Sequence, residues 1–240
     1  MSTTVHSGHP TAADFRARRR SAGLFTDTVS QRLGSYLSVA AYRLGLHPTV
    51  LTLANLVLGI GAVVLVGALA PFAHAGRVPS VWMGLGALVL WQLAYALDCA
   101  DGQLARFTGK AGPAGARVDI LCDVAIQIAL VAAVATVNRA YHPGTPDWLV
   151  AVFAGTWMVN LVTSVLQQGG AGGSLITSDS PVVKLVKLVR DYGAVVTVVG
   201  LVLAFAPQWT IGLIVAFAVV NGGFLFASIA AAARTSLGRD

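Results

Sequence analysis

The chain has 240 residues, of which 56% are hydrophobic and only 11% charged, and it carries a formal net charge of +6. That profile excludes an ordinary soluble domain and describes an integral membrane protein. The basic excess reads as membrane orientation and contact with anionic lipid, ahead of nucleic-acid binding.

Residues 1–21 are polar, with Arg16, Arg18, Arg19 and Arg20 clustered and no apolar core. They are therefore neither a signal peptide nor a span, and the segment is expected to be a disordered basic terminus. Over residues 22–47 the pattern changes: Leu24, Phe25, Val29, Leu33, Tyr36, Leu37, Ala40, Ala41 and Leu44 recur at helical spacing, interleaved with Asp27, Gln31, Arg32 and Arg43. An amphipathic helix lying on the membrane surface fits this pattern, and a helix packed on the membrane domain is the competing reading.

Residues 48–236 read as a six-helix transmembrane catalytic domain. A charge-free run from Pro48 to Ala75 exceeds the roughly 20 residues needed to cross a bilayer core. Further spans are expected at about Val78–Leu97, Ala114–Val137 and Trp148–Leu166, each bounded by charge, Pro or Gly. The uncharged run from Tyr192 to Ala233 is long enough for two crossings, divided at Pro207. The fold class is thus all-α, with six transmembrane helices and an N-terminal amphipathic surface helix. Most Lys and Arg residues then fall on one side, leaving Arg77 and Arg139 on the other. By the positive-inside rule both termini and the loop after the second span are cytoplasmic.

All ten acidic residues are Asp, and four of them, Asp98, Asp101, Asp119 and Asp123, fall within one short stretch against the apolar spans. Carboxylates there are costly to desolvate and repel one another, so the arrangement requires a partner. Asp98 and Asp101 are three apart, Asp119 and Asp123 four apart, so each pair shares a helix face. Two adjacent helices can bring the four together around hard divalent cations, and a pair of cations suits phosphoryl chemistry. Gly102, Ala105 and Gly115 offer little or no side chain beside the acids, so a nucleotide can approach the backbone. Arg106 is placed to pair with a phosphate or to brace the acids. An ion pathway in a transporter is the competing use of intramembrane acids. Cys99 and Cys122 lack metal-finger or disulfide spacing and read as packing residues.

Taken whole, the pattern is Asp98-x-x-Asp101-Gly102-x-x-Ala105-Arg106, eight residues, then Gly115-x-x-x-Asp119-x-x-x-Asp123. The chain here resembles the CDP-alcohol phosphotransferase family of membrane enzymes, with every defining position of that signature filled. The resemblance extends to the amphipathic helix and to the Pro and Thr of HPTVLT at the first span. It implies that an alcohol hydroxyl attacks the phosphate of a CDP-activated donor and expels CMP. Asp98, Asp101 and Asp119 then look like ligands of two divalent cations, Mg²⁺ or Mn²⁺, and Asp123 like a metal-associated residue that also serves as general base. Gly102, Ala105, Arg106 and Gly115 look like nucleotide-side positions, with Thr52 added from the first span. The expected donor is CDP-diacylglycerol and the acceptor a small polar alcohol; a soluble CDP-alcohol donating to diacylglycerol is the reverse arrangement. Family members are commonly homodimers, and composition suggests the cell membrane of a bacterium.

Lys184, Lys187 and Arg190 recur every three residues after Pro181 and share a helix face. With Arg117 they are candidates for binding a phosphate on the acceptor; anchoring to lipid headgroups explains them equally. Asn160, Thr163 and Gln167 follow helical spacing in the fourth span, facing either the polar cavity or a neighbouring helix. The Gly-rich QQGGAGGS lacks the Lys-Ser/Thr ending of a phosphate loop and reads as a flexible connection. His47, His74 and His142 have no acid partner nearby, and the Gly-x-Gly pairs at Gly59 and Gly84 read as helix-packing positions.

Overall fold

The computed structural model describes residues 10–19, 23–168 and 191–237. Helices and short connections account for them, with no strand among the described residues. The first helix, α1 (Ala12–Arg16), lies inside the stretch expected to be disordered. The Asp14 carboxylate accepts from the Thr11 amide at 2.8 Å and from its hydroxyl at 2.7 Å, closing the first turn. Phe15 is fully buried, its ring 4.3 Å from that of Phe107 and 6.0 Å from that of Tyr42. Hydropathy averaged over an Arg-rich window hides this anchor, whose burial contributes about 2 kcal/mol.

A π-helical turn at Thr26–Ser30 leads into α2 (Gln31–Arg43). Its buried face is small and polar: Thr26, Ser30, Gln31, Gly34, Ser35, Ser38 and Ala41. Leu33 and Tyr36, with Leu24 and Leu44 to either side of the helix, are exposed, while Leu37 and Val39 pack inward. Gly34 is where α2 meets the next-but-one helix: a Cβ there would lie 2.9 Å from the Ala96 carbonyl oxygen and 2.8 Å from the Cys99 side chain.

The helices that follow are α3 (Pro48–His74), α4 (Ser80–Phe107), α5 (Pro113–Tyr141), α6 (Asp147–Gln168), α7 (Tyr192–Phe205) and, after a 3-10 turn at Pro207–Trp209, α8 (Thr210–Leu237). Pro begins α3 and α5, where its missing N–H removes nothing from the hydrogen-bond ladder. The His47 ring accepts from the Thr49 amide as the N-cap of α3, and His142 bonds the Gln208 carbonyl oxygen at 2.6 Å, so these histidines have structural partners.

Four described helices are long and apolar enough to cross a membrane: Pro48–His74, Ser80–Phe107, Pro113–Tyr141 and Pro207–Arg234. The protein is therefore a multi-pass membrane protein. Helices also occupy the expected fourth and fifth positions, but the 14 residues of α7 span only about 21 Å, short of the roughly 30 Å hydrocarbon core. Residues 169–190 lie outside those described, and with them most of the Gly-rich stretch and the Lys184, Lys187 and Arg190 trio. The backbone of α6 carries Asn160, Thr163 and Gln167; their side chains lie outside the described set.

The second span differs from expectation. It was expected to end near Leu97, where hydropathy falls, yet α4 continues to Phe107. Its acids and Arg106 recur at helical spacing, so polarity increases along the helix without interrupting it.

α3 packs on α4 and α5, α4 also on α2 and α7, and α6 on α8. The core holds Ala62, Val66, Met83, Trp91, Leu130, Val134, Phe153 and Leu203. Trp157 stacks on Phe217 with centroids 4.3 Å apart, joining α6 to α8. Both Gly-x-Gly pairs mark close approaches: a Cβ on Gly59 would lie 2.9 Å from Ile126, and one on Gly84 only 2.1 Å from the Ala204 nitrogen. Outward faces are equally apolar, with Val57, Val64, Trp82, Ile128 and Phe226 exposed. That is the surface a lipid solvent requires.

A Gly84→Ala substitution should lower the thermal midpoint of the detergent-solubilised protein, at a cost of about 1–3 kcal/mol, because the obstacle is backbone. Gly61→Ala, whose Cβ meets nothing within 4 Å, should leave the midpoint unchanged or raise it. A thiol-reactive dye can follow both melts, since Cys99 and Cys122 are free and buried.

Candidate functional site

Because α4 runs unbroken to Phe107, Asp98, Asp101, Ala105 and Arg106 lie along one helix face at offsets of three, seven and eight. The chain then turns through Gly109, whose φ of 69° is the left-handed conformation that favours glycine, and α5 starts at Pro113. Asp119 and Asp123 follow one turn apart on α5 and face the α4 acids.

Asp98, Asp119 and Asp123 each offer a carboxylate oxygen such that the three atoms lie within 4.8 Å of one another. All three residues are half-buried. Three like charges at this range repel strongly in a medium of reduced dielectric. The donor set is carboxylate oxygen throughout, the ligand type hard divalent cations take. Moreover, Asp119 Oδ1 is buried with no hydrogen-bond partner among the described residues, an orphan acceptor that a cation would satisfy. The residues present thus fit a divalent cation.

Asp101 stands apart from that group. It is buried, and its Oδ2 accepts from the Thr52 hydroxyl on α3 at 2.5 Å. Thr52, singled out as a nucleotide-side position, therefore reaches an acid directly. One turn further along α3, the buried Asn55 extends its side-chain amide to Asp98 Oδ1 at a long 3.5 Å. Sequence reasoning passed over Asn55; an amide three residues after Thr52 in an otherwise apolar span was the available signal.

Of the remaining predicted positions, Gly102 lies under Arg106: a Cβ on it would be 3.0 Å from Nη1 of the guanidinium. Arg106 Nε donates to the Arg18 carbonyl oxygen, and its charge acts on Asp119. Ala105 is half-buried beside it. Gly115 is exposed, with open space where a side chain would be. Arg117 is exposed on the first turns of α5. Lys184, Lys187 and Arg190 fall outside the described residues.

A second polar cluster lies beside the acids and was missed in the sequence. Buried Asp191 caps α7, accepting from the Gly193 amide at 3.1 Å, and also takes the Thr26 amide at 2.9 Å and the Thr26 hydroxyl at 2.5 Å. The Thr26 oxygen shares a 3.1 Å bond with the Tyr95 hydroxyl, one turn before Asp98. With the Thr26 hydrogen committed to Asp191, Tyr95 is the donor. Tyr95 meets Tyr192 edge-on at 4.9 Å. The π-helical turn, α4 and α7 are thereby joined next to the acids.

Mn²⁺ titrated into the solubilised protein and followed by electron paramagnetic resonance should bind the wild type and lose at least about tenfold in affinity in Asp119→Asn. Unchanged binding in Asp119→Asn would remove the three-Asp group as a cation site.

No curated protein and no solved structure matches the chain significantly. A family model described as CDP-alcohol phosphatidyltransferase matches residues 45–227, from the turn before α3 into α8. The match takes in the whole acid cluster and both helices that carry it, and it decides for a transferase acting on a CDP-alcohol donor and an alcohol acceptor over an ion pathway. Such families generally depend on metal and serve phospholipid synthesis. The chain belongs to the CDP-alcohol phosphatidyltransferase family.

Proposed function

We propose that this transferase moves a phosphatidyl group from CDP-diacylglycerol to a small polar alcohol, releasing CMP. The observation that carries this reading is the convergence of Asp98, Asp119 and Asp123 at the ends of two apolar helices, with Asp101 braced alongside by Thr52. Asp98, Asp101, Asp119 and Asp123 hold two divalent cations, Mg²⁺ or Mn²⁺. When bound, these neutralise the pyrophosphate oxygens of the donor and favour departure of CMP. A carboxylate oxygen of Asp123 accepts the proton of the acceptor hydroxyl. The hydroxyl oxygen forms a bond to the phosphorus next to the diacylglycerol, and the bond from that phosphorus to the CMP oxygen breaks.

Gly102, Ala105 and the open space at Gly115 admit the nucleotide, and Arg106 faces its phosphates. The membrane-embedded donor is favoured because the outer faces of the bundle are apolar, so its chains can stay in lipid while the head group reaches the acids. Arg117, with Lys184, Lys187 and Arg190, binds a phosphate on the acceptor. In this reading α6 and α7 complete six spans, and the exposed Leu24, Leu33, Tyr36 and Leu44 lay α2 against lipid. The Lys and Arg distribution puts the site on the cytoplasmic side of a bacterial membrane, and two copies form a homodimer.

The test is to incubate purified protein with labelled CDP-diacylglycerol and Mg²⁺ or Mn²⁺ against inositol phosphate, glycerol phosphate, inositol and serine. One acceptor should yield lipid product with matching CMP, and chelation should abolish both. CMP formation that survives chelation, or that requires a soluble CDP-alcohol with diacylglycerol, would overturn the proposal. Asp123→Asn should lower kcat by at least about a hundredfold while donor binding persists. Lys187→Gln with Arg190→Gln should raise the KM of a phosphorylated acceptor and leave that of the donor unchanged.

A further inference from the structure

Arg106 occupies the last turn of α4, which ends at Phe107. A long side chain with several rotatable bonds there samples many rotamers, and a phosphate must immobilise it on binding. One of its partners comes from far along the chain. The Nε donates to the carbonyl oxygen of Arg18, 88 positions earlier, and the Nη1 and Nη2 ends lie across Gly102.

Arg18 is held in turn by the docking of α1. Phe15 is completely buried among Ala41, Leu51, Ala100 and Leu104, and its ring packs on Phe107, the residue next to Arg106. Tyr42 closes the aromatic trio, meeting the Phe107 ring at 5.6 Å and nearly perpendicular. Arg16 adds a 3.5 Å contact from Nη2 to the Ser35 hydroxyl on α2. The same apolar seat includes Leu51 of α3, adjacent to Thr52, and Ala100 of α4, adjacent to Asp101. Residues 11–19 thus rest on the elements that carry the acids, outside the region covered by the family match.

We propose that residues 11–19 are a docked strap that fixes the guanidinium of Arg106 over Gly102, with Phe15 as a positioning residue for the nucleotide-binding arginine. This rests on the reading of Arg106 as a residue that faces the donor phosphates. The strap acts by removing alternative rotamers before the donor arrives. Its loss is therefore expressed in donor affinity more than in the chemical step.

The experiment uses the full chain in detergent with CDP-diacylglycerol, the metal, and whichever acceptor supports turnover. Phe15→Ala should raise the donor KM about tenfold with kcat largely retained, and Phe15→Leu, which refills the apolar seat, should restore most of the affinity. In an Arg106→Lys background, which has no Nε to donate to Arg18, Phe15→Ala should add no further rise. A purely structural role for Phe15 would instead lower the thermal midpoint and kcat together, and its effect would be additive with Arg106→Lys; that result overturns the strap. Normal wild-type turnover with an unchanged donor KM in Phe15→Ala overturns it as well. Absence of turnover in the wild type with every acceptor would overturn the transferase substrate assignment, and the strap's function with it.

Discussion

The close approach of carboxylates from α4 and α5 is the constraint around which the rest of the molecule is arranged. Side chains that repel one another must be forced together by something stronger than their own interaction. Here that force is the burial of long apolar helices against α3 and α7, with glycines letting backbones come within contact of each other. The acids are held by three elements at once: Thr52 and Asn55 on α3 reach Asp101 and Asp98, while Tyr95 links α4 to the Thr26 and Asp191 network.

The spacing of the acids was legible because it is local. Offsets of three and four determine which side chains share a helix face before any tertiary structure exists, so that Asp98 lies on one face with Asp101, and Asp119 on one face with Asp123, followed from position alone. Helix positions were legible for the same reason, since about 20 apolar residues in succession have few alternatives. The end of α4 was not, because hydropathy reports where lipid stops and not where the hydrogen-bond ladder stops. Thr26 and Asp191 were invisible as site residues because they lie 165 positions apart in the chain. Phe15 was obscured by its Arg-rich surroundings: one aromatic ring finds a prepared apolar seat that only the assembled helices create.

α2 shows how far local pattern can carry an argument and where it stops. Periodicity led to the expectation of an amphipathic helix, and a soluble helix would turn its apolar stripe inward. In the structure Gly34 and Ser38 face α4, with the Ser38 hydroxyl donating to the Ala100 carbonyl oxygen at 3.0 Å, while Leu33 and Tyr36 are exposed and Leu37 packs inward. Small polar residues suit this contact because they permit close backbone approach and satisfy each other's hydrogen bonds.

The continuity of α4 also makes it a ruler. At about 1.5 Å per residue, Asp98 stands roughly 27 Å along the axis from Ser80, close to the thickness of a hydrocarbon layer. Ser80 is itself pinned, its hydroxyl donating to the Ala204 carbonyl oxygen at 2.8 Å. A helix without a hinge transmits any vertical displacement of one end to the other, so a thicker or thinner bilayer shifts the reacting groups relative to the plane of the head groups. Membrane thickness, through the length of one rod, thereby becomes a parameter of catalysis.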